Sequence, residues 1–401
     1  MAAPTLYFAV QTRLHRGADG AIRTDFGYAR SDAWAPFLEA VDNVVIIARV
    51  TDKVSDSGEL VEGDRVSVLE LPFYSGPRDF IVKRRKISAF MRAQLQDRSA
   101  IYAARVPNII VPLLQQRAKQ LGAPFIAQIV GDAQDVLRSG IAGRVGRAVS
   151  SLARASIARQ VANASGVIYV TRESLQAKYP AGPGVPTLVR SNVEIDIASF
   201  ADGARDYAKR QPASPPVIVV AGSQEQTYKG HDILISAIAL LEQRGIVVAA
   251  DILGSGKYHD DLVAQAAELG VADKVTFSGH VPSAVQVRSH ILAADIFAMP
   301  SRTEGLPRVL VEAMATGTVC IGSRVGGIPE LLTDDALFDA EDPAALADSI
   351  ESLISDPARM SRLAEIQFEE ARLIGVEFSG TKILTDYLRI FTDKAGHRSD
   401  E

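Results

Sequence analysis

Apolar runs alternate with amphipathic stretches along the second half of the chain. The runs are short and rich in Val, Ile and Leu, and they occupy residues 216–222, 247–254, 274–279, 294–300 and 318–323. Between several of them, apolar residues recur at helical spacing, as in HDILISAIALLEQRG, HDDLVAQAAELG and PRVLVEAMATG. Continuous apolar strands separated by amphipathic helices are typical of a parallel sheet that is covered on both faces. The pattern therefore predicts a doubly wound α/β domain.

The first half of the chain shows a similar but less regular pattern. Strand candidates are LYFAV, NVVIIARV, FIAQIV and GVIYVT, and the polar, proline-rich stretch near 200–215 is typical of a linker. A chain of 401 residues also exceeds what one hydrophobic core usually organises. We therefore expect two α/β domains, over 1–200 and 201–375, followed by a C-terminal helix and tail over 376–401 that packs back on the first domain.

Composition and charge exclude several classes of protein. The net charge of −5 argues against a nucleic-acid-coating protein, which needs a strong positive field. Cys320 is the single cysteine and lies in an apolar run, which favours a buried, inert thiol and a reducing compartment. No apolar run reaches the ~18 residues of a membrane-spanning helix, and the run before Gln11 is too short for a signal peptide. We expect a cytoplasmic protein with at most peripheral membrane contact.

A pair of carboxylates follows one of the predicted strands. Glu304 lies in the loop SRTEGLP, and Glu312 lies eight residues later in a helical pattern that begins near Pro307. The start of a helix offers unpaired N–H groups that suit a diphosphate, and Gly305 lets the backbone approach it closely. Glu312 then lies ~7–8 Å along the helix axis. This spacing suits a nucleotide-sugar, with the hexose on Glu304 and the ribose on Glu312, although two solvated glutamates would show the same spacing.

The sequence around this pair resembles a known family. EGLPRVLVEAMATG, followed by IGSRVGGIPELL, is similar to the donor-binding signature of the family-four retaining glycosyltransferases, over most of residues 190–375. The resemblance implies the GT-B fold, with two Rossmann-like doubly wound domains that face a central cleft. It also implies transfer of a hexose, with retention, from a nucleotide diphosphate-sugar on the second domain to a saccharide or lipid-linked acceptor on the first. The implied process is the assembly of cell-surface polysaccharide or glycolipid.

The resemblance assigns donor residues one position at a time. In VVAGSQEQTYKGHDILI, Lys229 matches the lysine that neutralises the donor phosphates, and Ser223 stands where the family usually has arginine. Arg308, or else Arg302, would supply the missing cation, unless both are ordinary surface arginines. Taken together, the predicted donor-binding residues are Gly222, Ser223, Lys229, Gly254, Glu304, Gly305, Leu306, Pro307, Arg308 and Glu312.

Three further segments resemble the family less closely. Gly254 and Gly256 match a glycine turn near the nucleotide, and Ser278–Val281 match a loop near its base. In RSNVEID, Asn192 and Glu194 stand at matching places, where they shape a loop more often than they touch substrate.

The first domain departs from the family pattern after the strand FIAQIV. Gly131 occupies the place of a histidine that the family commonly has, so Asp132 or Asp135 would have to contact the transferred sugar, although Asp135 also suits a helix N-cap. The predicted catalytic residues are Glu304, Lys229 and Asp132.

The implied mechanism needs no metal and no obligatory cofactor. The chain contains no Asp-x-Asp triplet. The helix start, Lys229 and Arg308 would stabilise the departing diphosphate, while Glu304 orients the hexose without attacking it.

The acceptor side gives weaker signals. HRGADGAIRT is a candidate acceptor loop, and RDFIVKRRKISAFMRAQ contains Lys83, Arg84, Arg85 and Lys86. The stretch 138–172 contains no Asp or Glu, and within it Val145, Val149 and Leu152 share one helical face while Arg147 and Arg154 share another. Such surfaces predict contact with anionic lipid at the inner face of the membrane, or else solvated helix faces.

Three alternatives remain open at this stage. GSGKYH follows a strand, as in dinucleotide-dependent oxidoreductases, but it lacks the third glycine of their fingerprint. A nucleotide-sugar epimerase or hydrolase could use the same fold. The departures at Ser223 and Gly131 would also suit a non-catalytic partner protein.

Overall fold

The computed structural model describes residues 3–25, 29–132, 143–191, 193, 195, 199–209, 215–377 and 380–396. It divides into two compact units. Unit 1 comprises Met1–Val130, Ala155–Asn192 and Gly380–Glu401, and unit 2 comprises Gly131–Arg154 and Val193–Ser379. Each unit is therefore assembled from separate stretches of chain, whereas the ranges 1–200 and 201–375 expected from the sequence are continuous.

Unit 1 contains a nine-stranded sheet, most of which is parallel. Its strands are β1 (Thr5–Arg16), β2 (Ile22–Thr24), β3 (Asn43–Val54), β4 (Glu59–Leu60), β5 (Val66–Glu70), β6 (Ile101–Val106), β7 (Phe125–Ile129), β8 (Gly166–Tyr169) and β9 (Thr187–Val189). The parallel part runs in the order β5-β3-β1-β6-β7-β8-β9, and β2 and β4 add an antiparallel extension at the end of β1. Every residue of β7 and β8 is buried, as expected for central parallel strands.

The described part of the chain also contains twelve α-helices. They are α1 (Ala35–Leu38), α2 (Pro77–Gln94), α3 (Val111–Leu121), α4 (Gly143–Ala162), α5 (Ser174–Lys178), α6 (His231–Gln243), α7 (His259–Glu268), α8 (Ala284–Ala293), α9 (Arg308–Ala315), α10 (Pro343–Ile354), α11 (Pro357–Arg372) and α12 (Thr381–Gly396). In the described part of the chain, none of these helices combines the length and apolar character of a membrane span.

The last helix, α12, belongs to the core of unit 1. Leu384, Tyr387, Leu388 and Phe391 are buried in the same apolar cluster as the strands of the sheet. The helix lies directly on β8, because a Cβ atom at Gly166 would come within 2.4 Å of both Phe391 and the Tyr387 hydroxyl. Unit 1 therefore needs residues from both ends of the sequence.

Unit 2 contains a six-stranded parallel sheet. Its strands are β10 (Val217–Ala221), β11 (Ala249–Leu253), β12 (Val275–Gly279), β13 (Ile296–Met299), β14 (Val319–Ser323) and β15 (Leu337–Phe338), in the order β12-β11-β10-β13-β14-β15. The chain moves outward from β10 to β12 and then returns to the other side of β10 with β13. This is a doubly wound sheet, so the predicted α/β fold class is confirmed, and its topological switch point lies between β10 and β13.

The core of unit 2 fixes the helix that follows β13. Leu310, Val311 and Met314 of α9 are completely buried, and α9 packs against α11 and β14. Each such side chain stabilises the fold by roughly 1.5–3 kcal/mol. Cys320 is also completely buried, in β14, and burial raises the pKa of its thiol, so the inert thiol expected from the sequence is found.

Candidate functional site

The loop between β13 and α9 carries Glu304 beside the switch point of the sheet. One oxygen of its carboxylate, Oε1, accepts hydrogen bonds from Lys229 Nζ at 2.7 Å and from Ser301 Oγ at 2.7 Å. The Lys229 and Glu304 side chains are only 15% and 8% exposed. Two residues that the sequence assigns to one donor molecule thus form a buried ion pair with each other.

The loop after β10 brings Lys229 to this position. Its side chain lies across Gly222, where a Cβ atom would come within 2.8 Å of Lys229 Cγ, so a larger residue there would displace the lysine. Burial disfavours the charged form of Lys229, but the Glu304 carboxylate and the Tyr228 hydroxyl outweigh burial and raise the pKa of the lysine. Lys229 is therefore a fixed, protonated cation at the switch point.

Two glycines hold the loops in contact. Gly230 has φ +72° and a Cβ atom there would lie 1.9 Å from the Pro300 carbonyl oxygen, which locks the Lys229 turn against the end of β13. Gly326 has φ +53° and faces the Glu304 carbonyl oxygen at the same distance, while the neighbouring Gly327 N–H donates to the Gly305 carbonyl at 2.8 Å. Only glycine fits these close approaches at positive φ.

Arg302 fastens the same two loops from the side. Its guanidinium donates to both carboxylate oxygens of Asp232, at 2.9 and 2.7 Å, and to the Thr227 carbonyl, while its backbone N–H donates to the Tyr228 carbonyl. The hydrogen bonds to Asp232 raise the pKa of Arg302. This arginine is committed to a structural clamp, so of the two cations that could replace the one missing at Ser223, Arg308 is the better placed.

Helix α9 begins one residue later than the sequence suggests. Pro307 is the N-cap, with φ −76° and ψ 108°, so Arg308 is the first helical residue. Leu306 packs against the core and keeps the loop close to the sheet. Arg308 Nε donates to Glu312 Oε1 at 2.6 Å, and this pair is more exposed than the Lys229 pair. The first N–H groups of the helix have no acceptor within it, so this end can accept an anion.

The loops after β10 and β11 form the opposite side of the site. Gly254, at φ +130°, approaches the Gly222 carbonyl so closely that a Cβ atom would lie 1.9 Å from that oxygen. Ser223 Oγ accepts a hydrogen bond from the Glu225 N–H at 3.2 Å and shapes the turn. In the neighbouring base-loop candidate, Ser278 Oγ donates to Asp251 Oδ1 at 2.6 Å. Each of the two hydroxyls therefore has a hydrogen-bond partner within unit 2.

The predicted residues near β7 have different outcomes. Asp132 is buried three residues beyond the end of β7, whereas Asp135, Asn192 and Glu194 lie outside the described residues. At Gly131, a Cβ atom would meet nothing within 4 Å, so the backbone leaves room for a side chain where the family commonly has histidine.

The candidate acceptor loop forms a tight hairpin after β1. The Gly17 N–H donates to the Ala21 carbonyl at 2.8 Å, and Arg23 pairs with Asp19 at 2.8 Å. The loop follows the carboxyl end of β1, the end at which open parallel sheets bind ligands.

The basic segment in α2 exposes both charged and apolar side chains. Lys83 donates to Asp79 and to the Phe73 carbonyl, both at 3.0 Å, so it is a local anchor. Arg84, Arg85 and Lys86 are exposed. Next to them, Ile81 and Val82 are 70% and 82% exposed, an unusual degree for large apolar side chains. In the second basic segment, Leu152 is 70% exposed, and the side chains of Val145, Val149 and Arg147 lie outside the described residues.

Several residues of the site were not predicted from the sequence: Ser301, Arg302 as a clamp, Asp232, Gly230, Gly326 and Gly327. The glycines were visible in TYKG and SRVGG, but nothing in the sequence showed which backbone each one faces. Among the described residues, no group of three His, Cys, Asp or Glu side chains could hold a metal ion. The site therefore offers a buried cation, an acidic side chain and a helix start around one switch point.

The chain is similar to several known proteins. The family model of glycosyl transferases group 1 matches residues 205–369. Protein CapJ from Staphylococcus aureus is 25% identical over 376 residues, which is 90% of each chain. D-inositol 3-phosphate glycosyltransferase from Mycolicibacterium gilvum is 34% identical over 239 residues, 57% of this chain and 51% of that protein, so the match spans about half of this relative's length.

A solved structure extends the likeness to the whole fold. The crystal structure of Anabaena HepE in complex with UDP-glucose superposes with a TM-score of 0.63 at 18% identity, over 97% of this chain and 99% of that chain. The two parallel sheets of this chain correspond to the two Rossmann-like domains of the GT-B fold. The chain thus has the GT-B fold, and its residues 205–369 match the model of the glycosyl transferases group 1 family.

Proposed function

We propose that this protein is a retaining glycosyltransferase that moves a hexose from a nucleoside diphosphate-sugar to a saccharide or lipid-linked acceptor. The observation that carries the proposal is the Lys229–Glu304 pair at the switch point of unit 2, beside the start of α9. A cation for phosphate and a carboxylate for hydroxyl groups are what a sugar-diphosphate requires.

Binding of the donor would exchange the partners of these side chains. In the structure, Lys229 is neutralised by Glu304 and Arg308 by Glu312. A diphosphate at the start of α9 would take over both cations, and the two carboxylates would then accept hydrogen bonds from hydroxyls, Glu304 from the hexose and Glu312 from the ribose. Each charged group would thus keep a hydrogen-bond partner before and after the exchange.

The same groups would act in the reaction. Negative charge grows on the diphosphate as it leaves the anomeric carbon, and Lys229, Arg308 and the first N–H groups of α9 are placed to stabilise it. Glu304 would hold the hexose in place, and the leaving phosphate would take the proton of the acceptor hydroxyl on the same face, which gives retention. Asp132 would contact the transferred sugar.

The acceptor belongs to unit 1 in this proposal. The name of one relative, D-inositol 3-phosphate glycosyltransferase, supports a polyhydroxylated acceptor. The HepE complex with UDP-glucose supports a nucleoside diphosphate-sugar as donor. We propose polysaccharide or glycolipid assembly as the setting.

We also propose that α2 rests on the anionic inner face of the membrane. Ile81 and Val82 would enter the interface, while Arg84 and Arg85 would contribute about 1 kcal/mol each through anionic headgroups. Co-sedimentation with vesicles of 30% phosphatidylserine should be lost in I81D/V82D and reduced in R84E/R85E. Equal sedimentation of both variants and the wild type would remove the membrane contact from the proposal.

Turnover with a panel of nucleotide-sugars tests the main proposal. A donor that raises the melting temperature and is transferred to an added acceptor with retained anomeric configuration would support it. The variant Glu304→Ala should abolish transfer. Product without any acceptor would favour an epimerase or hydrolase instead.

One observation favours a non-catalytic partner protein as the second candidate. Ser223 replaces an arginine, and Arg302 cannot substitute for it because it is bound to Asp232. Donor binding without turnover, across all donors and acceptors offered, would establish this candidate.

A further inference from the structure

A groove of about 980 Å³ opens on unit 1, at the amino end of the sheet. It runs between α3, α4 and α12, and its floor includes Phe125, the first residue of β7, and Phe391. Asp132 follows the opposite end of β7, and five residues of strand span roughly 16 Å. The groove is therefore separate from the end of the sheet at which unit 1 would offer an acceptor. We name it the amino-edge groove.

The amino-edge groove has a positive lining. Arg98, Lys119 and Arg159 line it, and none of the residues that line it in the described part of the chain is Asp or Glu. Within the described residues, none of the three cations forms an ion pair. Lys83, on the same unit, shows the usual alternative, since it pairs with Asp79. A concave surface with one sign of charge concentrates ligands of the opposite sign.

The rest of the lining is rich in amides. Gln116 and Asn163 are exposed at the groove, and Gln115 Nε2 donates to the Gln160 carbonyl at 2.9 Å. Gln160 is only 7% exposed, and its Oε1 finds no hydrogen-bond partner among the described residues. A buried acceptor without a partner is costly, which suggests that a bound group donates to it. Amides both donate and accept, so they suit the hydroxyls of a sugar.

The acid-free stretch 138–172, which has no role in the proposed transfer reaction, contributes residues to the amino-edge groove. It supplies Arg159, Gln160, Asn163 and the hydroxyls of Ser156 and Ser165 to the groove. One wall of the groove thus comes from a segment of 35 residues that contains no Asp or Glu.

We propose that the amino-edge groove binds an anionic saccharide chain, in which Arg98, Lys119 and Arg159 pair with carboxylates or phosphates and the amides pair with hydroxyls. The volume lies at the upper end of the ~300–1,000 Å³ of small-molecule sites, which leaves room for more than one sugar residue. The site holds a chain and performs no chemistry. It does not depend on the proposed transfer reaction, because none of its residues belongs to unit 2.

Titration with hexagalacturonate, followed by calorimetry at low salt, tests this proposal. The wild type should bind it, and the affinity should fall as salt is added. R98A/K119A/R159A should bind at least tenfold more weakly, since each surface cation contributes a few-fold. Gln116→Ala keeps the charge and should weaken binding about threefold. R244A/R362A removes two exposed cations on unit 2 and should leave the affinity unchanged.

Two comparison ligands decide the chemistry. Maltohexaose lacks the charge and hexaglutamate lacks the sugar, so both should bind at least tenfold more weakly than hexagalacturonate. The proposal is overturned if hexagalacturonate does not bind at 1 mM, if hexaglutamate binds equally well, or if R244A/R362A weakens binding as much as the groove variants do. Trp34 is the single tryptophan and is buried in the apolar cluster of unit 1, so its fluorescence reports whether each variant folds.

Discussion

The buried Lys229–Glu304 pair allows stability and activity to be separated in one experiment. We consider three variants: Lys229→Met, Glu304→Gln and the double variant. Lys229→Met leaves the Glu304 carboxylate buried with only the Ser301 hydroxyl as a partner. Glu304→Gln keeps an oxygen for the Lys229 ammonium but removes its counter-charge. The double variant leaves two neutral side chains that can pack against each other.

The magnitudes follow from the burial of the pair. Removal of one partner from a fully buried pair costs about 3–5 kcal/mol, and the remaining exposure of 15% and 8% places Lys229→Met near the lower limit, at about 3 kcal/mol. Glu304→Gln should cost about 2 kcal/mol because a hydrogen bond remains. The double variant should also cost about 2 kcal/mol, so the two single effects should fail to add by about 3 kcal/mol.

Urea unfolding followed by far-ultraviolet circular dichroism at pH 7 measures these costs. The single tryptophan, Trp34, lies in unit 1, so its fluorescence transition serves as an internal control that should not change. The pKa of Lys229 is raised in the folded protein, so the stabilisation is fully present below the pKa of an unfolded lysine, about 10.4, and is lost only at higher pH. All three variants should lose sugar transfer, including the stable double variant.

The result that would refute this reasoning is additivity. If the double variant lost the full sum of the single effects, about 5 kcal/mol, the two side chains would not be coupled through their charges. Normal transfer by Lys229→Met would separately show that the lysine does not act on the donor phosphates.

Three further predictions concern neighbouring residues. Burial, and then the Lys229 charge, lowers the pKa of His231 from 6.5 to about 4. The neutral imidazole therefore contributes roughly 3 kcal/mol to the free energy of unfolding, which is present above pH 6.5 and is lost as the pH falls towards 4. Urea midpoints of His231→Asn should show a smaller loss over this pH range. Gly326→Ala should cost about 2–4 kcal/mol and impair transfer, whereas Gly245→Ala, at φ +78° with no atom within 4 Å of the new Cβ, should cost only about 1 kcal/mol. Arg308→Ala should raise the donor KM about tenfold, or ~1.4 kcal/mol, and should change the melting temperature by less than about 2 °C. The control variant Arg244→Ala breaks an exposed ion pair elsewhere and should leave the donor KM unchanged.

The outcomes that contradict these predictions are equally specific. An unchanged acid slope in His231→Asn would assign the acid sensitivity to other groups. Equal costs at Gly326 and Gly245 would show that the approach to the Glu304 carbonyl carries no strain. A KM change in Arg244→Ala as large as in Arg308→Ala would indicate a general charge effect.

The inner strands of unit 2 were predictable because β10, β13 and β14 are buried on both faces and so appear as apolar runs. β10, β11, β12, β13 and β14 all lie within the predicted runs. In unit 1, β6 was missed, because its sequence IYAARV contains two alanines and an arginine, and alanine has low strand propensity. Burial of β6 between β1 and β7 overrides this local preference.

In the site, too, features set by neighbouring residues were predicted, and contacts between residues distant in sequence were not. The loop with Glu304 and the start of α9 are local, and the sequence located them to within one residue. The clamp between Arg302 and Asp232 joins residues 70 positions apart, and it depends on strand order that no single-sequence pattern reveals. For this reason Arg302 could not be distinguished from Arg308 beforehand.

The position of α12 has a consequence for biosynthesis. A ribosome synthesises all of unit 2 before it adds Leu384, Tyr387, Leu388 and Phe391, which complete the apolar cluster over β8. Unit 1, whose strands are translated first, is therefore the last to reach its native state. Until α12 is made, one hydrophobic face of its sheet stays uncovered. Premature termination within α12 would leave a nascent chain with a finished second unit and an exposed surface that attracts chaperones.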